Sequence, residues 1–175
     1  FSCTGDILLT QLSNGHDYMM VPPADRVIYG TCSTKCYISV WQGIDVAISQ
    51  ACTDGSSATV TPGQQIMGSS GYMGVSCKWS VPSGAKIGGN SFADGDGTEA
   101  ISFMPVHLFQ QITPIPVNME FVVLVGDQPT TCTGSGTSFS LTGSADAGVY
   151  HYRMGSTNAG QILSCDKPVT AYGDE

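Results

Sequence analysis

Short stretches in which apolar and polar residues alternate, separated by clusters of Gly, Pro, Asn, Asp and Ser, recur from one end of the sequence to the other. A period of two sends successive side chains to opposite faces of an extended strand, so the repeated pattern predicts many short strands joined by tight turns. One stretch breaks the alternation. From Val117 to Gly126 the residues read Val-Asn-Met-Glu-Phe-Val-Val-Leu-Val-Gly, and the five consecutive apolar residues, three of them Val, suit a strand covered on both faces better than a short helix. Pro114 and Pro116 before it and Pro129 after it cannot donate to a sheet ladder, and they fence the run. The core is expected around this central strand.

Upstream, Asp6 to Leu12 fits either a strand or one helical turn, and Ser13-Asn14-Gly15 turns the chain. Tyr18 to Val21 predicts a strand stopped by Pro22-Pro23, and Arg26 to Tyr29 begins another that reaches Gly30. Cys36 to Trp41 and Ile44 to Ile48 alternate on either side of Gln42-Gly43, which predicts a hairpin. Ala58 to Thr61 and Gln64 to Met67 predict two short strands broken by Pro62-Gly63. In Tyr72 to Val81 the face carrying Met73, Val75, Cys77 and Trp79 is expected to meet the core.

Ser83 to Gly97 is rich in Gly and lacks a clear alternation, which predicts a long functional or structural loop. Beyond it Ala100 to Met104 is strand-like, and Val106 to Ile112 predicts a short helix, with a strand as the alternative. Thr130 to Cys132, Thr137 to Leu141, Val149 to Met154 and Gln161 to Cys165 are further strands divided by Gly-rich turns. Such spacing belongs to antiparallel sandwiches and barrels. The predicted fold class is all-β: a single-domain antiparallel β-sandwich over residues 1–175, jelly-roll or immunoglobulin-like, disulfide-stabilised, with at most one or two short helices. A chain of 175 residues supports one well-buried core and is short for two, since domains usually run to about 100 to 150 residues.

Charge narrows the partners. Charged residues are 11% of the chain, and the net charge is -8 with Arg26, Lys35, Lys78, Lys86, Arg153 and Lys167 scattered, so no basic stripe is available to neutralise phosphates. Nucleic acid is not an expected partner. No apolar run reaches the length of about 18 residues that a spanning helix needs, so membrane insertion is not expected either. Phe1 is not followed by a signal-peptide core, and the expectation is a mature form from which an export signal has been removed.

The seven cysteines, Cys3, Cys32, Cys36, Cys52, Cys77, Cys132 and Cys165, favour an oxidising, extracellular compartment and leave one thiol over after pairing. Spacing does not give the connectivity. Cys32 and Cys36 have the separation of half a metal site, but no second close Cys/His pair completes it; bonding to distant strands, or to each other around a turn, is the simpler expectation. Asp94, Asp96 and Glu99 bring three carboxylates into one Gly-rich loop, the ligand type calcium prefers, although the spacing of an EF-hand is not met. Calcium is the cofactor such a loop would take, and a solvated turn is the plainer reading.

His16, His107 and His151 could each serve as a general base, yet no Gly-x-Ser-x-Gly elbow, His-Glu-x-x-His helix or phosphate loop accompanies them. Asp146 to Tyr152 resembles the Asp-x-Gly-x-Tyr-x-Cys stretch of immunoglobulin-type domains, where the tyrosine makes a corner hydrogen bond. Tyr152 stands where the cysteine belongs and Trp41 follows Cys36 by only five residues, so the stretch reads as a Gly-containing turn feeding a Tyr-rich strand. Tyrosines join an apolar ring to a hydrogen-bonding tip, which suits sugars and protein interfaces; Tyr150, Tyr152 and the intervening His151 are the candidate ligand-binding residues.

The functional expectation is a secreted, non-catalytic binding protein whose partner is a cell-surface glycan or protein. A self-assembling extracellular subunit of a filament or coat, pairing with copies of itself, is the alternative. A small secreted hydrolase is the third, and it requires a concave site joining a His, a carboxylate and a Ser or Cys.

Overall fold

The computed structural model describes residues 10–13, 17–20, 24–32, 35–42, 46–63, 65–67, 74–92 and 100–174. The strands of the first part are β1 (Thr10–Ser13), β2 (Asp17–Met20), β3 (Val27–Cys32), β4 (Lys35–Gln42), β5 (Ile48–Cys52), β6 (Ser57–Val60), β7 (Gln65–Met67), β8 (Val75–Ser80), β9 (Lys86–Phe92) and β10 (Ala100–Ser102). A single 3-10 turn, Val106–Leu108, leads into β11 (Gln110–Pro114), β12 (Phe121–Gly126), β13 (Thr131–Gly134), β14 (Thr137–Ser140), β15 (Thr142–Ser144), β16 (Val149–Met154) and β17 (Ile162–Asp174). Every pairing is antiparallel. The chain is a disulfide-stabilised all-β fold.

Two four-stranded sheets, ordered β3-β8-β5-β6 and β10-β9-β4-β7, face each other over one core that includes Ile28, Ile38, Ile48, Trp79, Ile87 and Phe103, each of them fully buried. The period of two supplies this core directly: Val75, Cys77 and Trp79 of β8 point inward, as their alternation predicts. The second part is a larger sheet, ordered β14-β13-β17-β12-β16-β15 with β11 added along β17, which curls nearly into a barrel. Ile115, Val122, Leu124, Leu141, Leu163 and Val169 form a core cluster within it.

β12 is the strand common to both parts. All six of its residues are buried. Val122 and Leu124 enter the core of the curled sheet, whereas Phe121, Val123 and Val125 face the other way and pack with Tyr29, Phe109, Val149 and Tyr172, against which Val27, Ala51 and Ile101 also rest. Its neighbours are β16 on one side and the C-terminal stretch of β17 on the other. Burying each valine side chain stabilises the fold by about 1.5 to 3 kcal/mol relative to leaving it in water. The Tyr172 hydroxyl donates to the carbonyl of Tyr29 at 2.9 Å, a buried polar tie between β17 and β3.

Three disulfides hold the strands: Cys32 to Cys36, Cys52 to Cys77 and Cys132 to Cys165. The first joins the last residue of β3 to the second residue of β4, so neither thiol is left for a metal, and the other two link directly opposite residues of paired strands. Cys3 lies outside the described residues and is the odd cysteine left by these three pairs. Disulfides of this kind persist in oxidising surroundings such as the extracellular space. Among the described residues no helix is long and apolar enough to cross a membrane.

Three local expectations are corrected. The runs at Cys36 to Trp41 and Ile44 to Ile48 do not form a hairpin: β4 pairs with β7 and β9, while β5, beginning at Ile48, pairs with β6 and β8 in the opposite sheet. Ser83 to Gly97 is not a loop throughout, because Lys86–Phe92 is strand β9. A methyl on Gly89 would come 2.7 Å from the ring of Phe103 and 2.5 Å from Ile38, so glycine here makes room for close packing within a strand. Val106 to Ile112 contains only the 3-10 turn, which then opens into β11.

Candidate functional site

Strand β16 carries the predicted Tyr150, His151 and Tyr152, and its alternation divides them. Tyr150 and Tyr152 pack toward the core of the curled sheet. His151 points to the other face, where its Nδ1 shares a hydrogen bond with Ser76 Oγ of β8 at 3.0 Å. Burial of the imidazole holds its pKa below the usual histidine range, so the neutral ring is favoured. Ser76 is wholly buried, and its backbone is fixed by Thr53, whose Oγ1 accepts from the Ser76 N–H at 3.2 Å.

A serine and a histidine in contact have the outline of a nucleophile and its base. Here the serine is sealed from substrate, and burial, with no neighbouring carboxylate, is what shifts the histidine. The pair joins the two parts of the fold. His107 is elsewhere: its Nδ1 lies 3.0 Å from the Asp25 carboxylate on an open surface, with side-chain exposures of 61% and 37%. His16 lies outside the described residues, as do Asp94, Asp96 and Glu99. Among the described residues no group of three or more His, Cys, Asp or Glu could hold a metal ion.

Among the described residues, one concave site is built on Tyr152. Its ring stacks on Phe139 of β14, with centroids 4.4 Å apart and planes inclined by 22°. Both aromatics are half-buried and line a cleft of about 330 Å³. One wall is the hairpin of β13 and β14, where Ser135 and Gly136 have φ values of 50° and 77°. Positive φ at both central residues of a two-residue loop is what a type I′ turn requires, and its twist matches that of the strands. Gly134 beneath the turn has no room for a side chain, because a methyl would stand 2.5 Å from Leu163.

The opposite wall is the segment 155–161 between β16 and β17. It is pinned to residues 115–119 by backbone hydrogen bonds: Met119 and Thr157 exchange a pair at 3.0 and 2.9 Å, Gly160 donates to Ile115 at 2.8 Å, and Ile115 donates to Gln161 at 2.9 Å. Asn118 Oδ1 accepts from the Ala159 N–H at 2.9 Å as well. These ties fix the wall before any ligand arrives. Ser156, Thr157 and Gln161 line the cleft from this side and Thr137 from the hairpin, with the Thr157 hydroxyl itself buried behind the surface.

Thr157 is the exceptional member. It is 3% exposed, and its Oγ1 has no hydrogen-bond partner, the only buried side-chain polar atom in that condition among the described residues. Leaving a hydroxyl buried and unpaired costs about 1 to 3 kcal/mol, so such groups are rare in folded proteins. Arg153 also borders the cleft, but its guanidinium lies 5.3 Å over the ring of Phe121.

Of the cleft residues, Tyr152 is legible from sequence; Phe139 and Thr157 are not. Phe139 is one of several aromatics in alternating runs, and no spacing connects it to Tyr152, while Thr157 is one of many hydroxyl residues in a turn-rich segment. The cleft is bordered by two half-buried aromatic rings together with hydroxyl and amide side chains, a mixture of apolar and hydrogen-bonding surface. No protein family, curated protein or solved structure matches this chain.

Proposed function

We propose that this chain is a secreted, non-catalytic binding protein whose cleft at Phe139, Tyr152 and Thr157 takes a sugar ring of a cell-surface glycan. The observation that carries the reading is the aromatic pair of Phe139 and Tyr152 in a cleft bordered by Thr137, Ser156 and Gln161. Aromatic faces cover the apolar C–H side of a sugar, and hydroxyls pair with its edge. The pinned walls add preorganisation, which reduces the ordering cost of binding. Low charge and three disulfides suit work outside the cell.

A glycan array probed with the labelled protein tests this reading, alongside Phe139→Leu and Tyr152→Leu, which keep apolar volume while removing a ring. Binding to one glycan class that both variants lose is the expected result. An array with no signal, or a signal indifferent to both substitutions, refutes it.

Self-association has its own supporting observation. Ile112 of β11 and Ile162 of β17 are 59% and 60% exposed and sit on neighbouring strands, and Cys3 is the cysteine left over by the three disulfides. Light scattering separates the two readings, since a monodisperse monomer counts against assembly. The hydrolase expectation has less support, because Ser76, the serine of the Ser76 and His151 pair, is buried.

A further inference from the structure

Among the described residues, the large apolar side chains that stay exposed are confined to one stretch and its neighbouring strand. Val106, Leu108, Ile112 and Val117 belong to the stretch that leads into and out of β11, and Ile162 of β17 lies next to Pro114 at the directly opposite position. Alternation sets Ile112, Pro114 and Ile162 on the same outward face of the two strands, because Leu163, between them in register, is fully buried.

The edge of β11 limits how a partner can use this face. The Ile115 N–H donates to the Gln161 carbonyl at 2.9 Å, so the antiparallel alternation directs the main chain of Thr113 toward β17 and that of Ile112 toward the outer edge. Among the described residues β11 pairs with no strand on that edge. The next outward position is Pro114, which has no N–H to donate, and proline there guards the edge against an added strand. Contact through the side chains of the face remains.

A second copy of the chain fits that face best. No Asp, Glu, Lys or Arg occurs between Glu99 and Glu120 or between Arg153 and Asp166, so two chains of net charge -8 can meet here without setting carboxylate against carboxylate. A head-to-tail contact would need a different apolar surface to receive this one, and the exposed large hydrophobics supply none elsewhere among the described residues. The same patch on both copies supplies both halves. We propose that two copies close face to face through Ile112, Pro114 and Ile162, as a two-fold dimer that does not propagate into a filament. The inference rests on the self-association reading and narrows it; it does not depend on the Tyr152 cleft.

Sedimentation equilibrium over a range of protein concentrations, at low salt and at about 0.5 M salt, tests it. The expected result is a monomer–dimer equilibrium that stops at the dimer and tightens as salt screens the repulsion between the two acidic chains. Ile112→Asp and Ile162→Asp each place like charges across the two-fold contact and should raise the dissociation constant by at least about a hundredfold. Both positions are exposed in the single chain, so the circular dichroism spectrum and melting temperature should stay close to wild type. A mixture of Ile162→Asp with Ile162→Lys should associate more tightly than either variant alone. Wild-type affinity in both aspartate variants overturns the dimer face and leaves self-association standing. Growth beyond the dimer overturns the closure. A monomer at every concentration and salt level refutes the self-association reading, and this inference with it.

Discussion

Replacing Gly30 by alanine puts a methyl group where Phe103 already stands. The added carbon would lie 2.0, 2.6 and 2.7 Å from three atoms of that ring. Phe103 has nowhere to go. Its other side meets Gly89, whose own added methyl would be 2.7 Å away, and its face stacks on Trp79 with centroids 4.4 Å apart and planes within 10°. Overpacking a filled core costs about 1 to 3 kcal/mol, and the depth of this clash argues for the upper end. Alanine also restricts the unfolded chain more than glycine, which offsets about 0.5 to 1 kcal/mol.

The net loss for Gly30→Ala is therefore about 2 kcal/mol, and in a chain of this size the melting temperature should fall by about 4 to 8 °C. Phe103→Ala alone should cost about 3 to 5 kcal/mol by leaving a cavity. In that background the methyl enters vacated space, so Gly30→Ala should become neutral or mildly stabilising, with a coupling of about 2 kcal/mol between the sites. Urea unfolding of all four proteins, followed by tryptophan fluorescence and far-ultraviolet circular dichroism, measures the cycle. Equal costs for Gly30→Ala in both backgrounds would refute the packing argument.

Protonation of His151 should act on stability in acid. Because burial lowers its folded-state pKa, the unfolded chain takes up a proton first, so its contribution is complete above the ordinary value of 6.5 and is lost as the pH falls below it. Melting curves from pH 8 to 5 should show a shallower acid decline for His151→Gln than for the wild type. The opposite limb belongs to Tyr29 and Tyr172. Burial, reinforced for Tyr29 by the charge of Asp127, pushes Tyr29 up to about 12, and burial raises Tyr172 as well; stability is complete below the ordinary 10.0 and is lost as the pH rises toward the folded values. Tyr172→Phe should cost about 1 kcal/mol at neutral pH for the lost bond to Tyr29 and should reduce the alkaline loss. Thiol titration of the unfolded, unreduced protein should find one thiol per chain, belonging to Cys3; three or more would contradict the disulfide pairs.

Alternation and turn residues make most of the strands legible, because both are local. Phe121 to Val125 is the clearest instance: an unbroken apolar run requires cover on two faces, and β12 has it. Partner choice is not local. Strands β4 and β5 alternate as a hairpin would, yet two strands that face each other across a core carry the same pattern as two strands side by side. Glycine misleads for a related reason, since Gly89 marks the space taken by Phe103, a residue distant in the chain. At β16 a period of two sends His151 away from its tyrosine neighbours, and the cleft partner of Tyr152 comes from another hairpin altogether. Thr157 carries no sequence mark, because an absent hydrogen bond is a property of the assembled surroundings.

β12 works as a party wall. Drawing the two parts of the fold apart would wet Phe121, Val123 and Val125 together, and three buried side chains of that size resist such opening by several times thermal energy. Hinge-like gaping is thus an expensive motion for this architecture, and heat should melt both cores in a single step. A visitor to the Tyr152 cleft meets a surface whose backing does not swing.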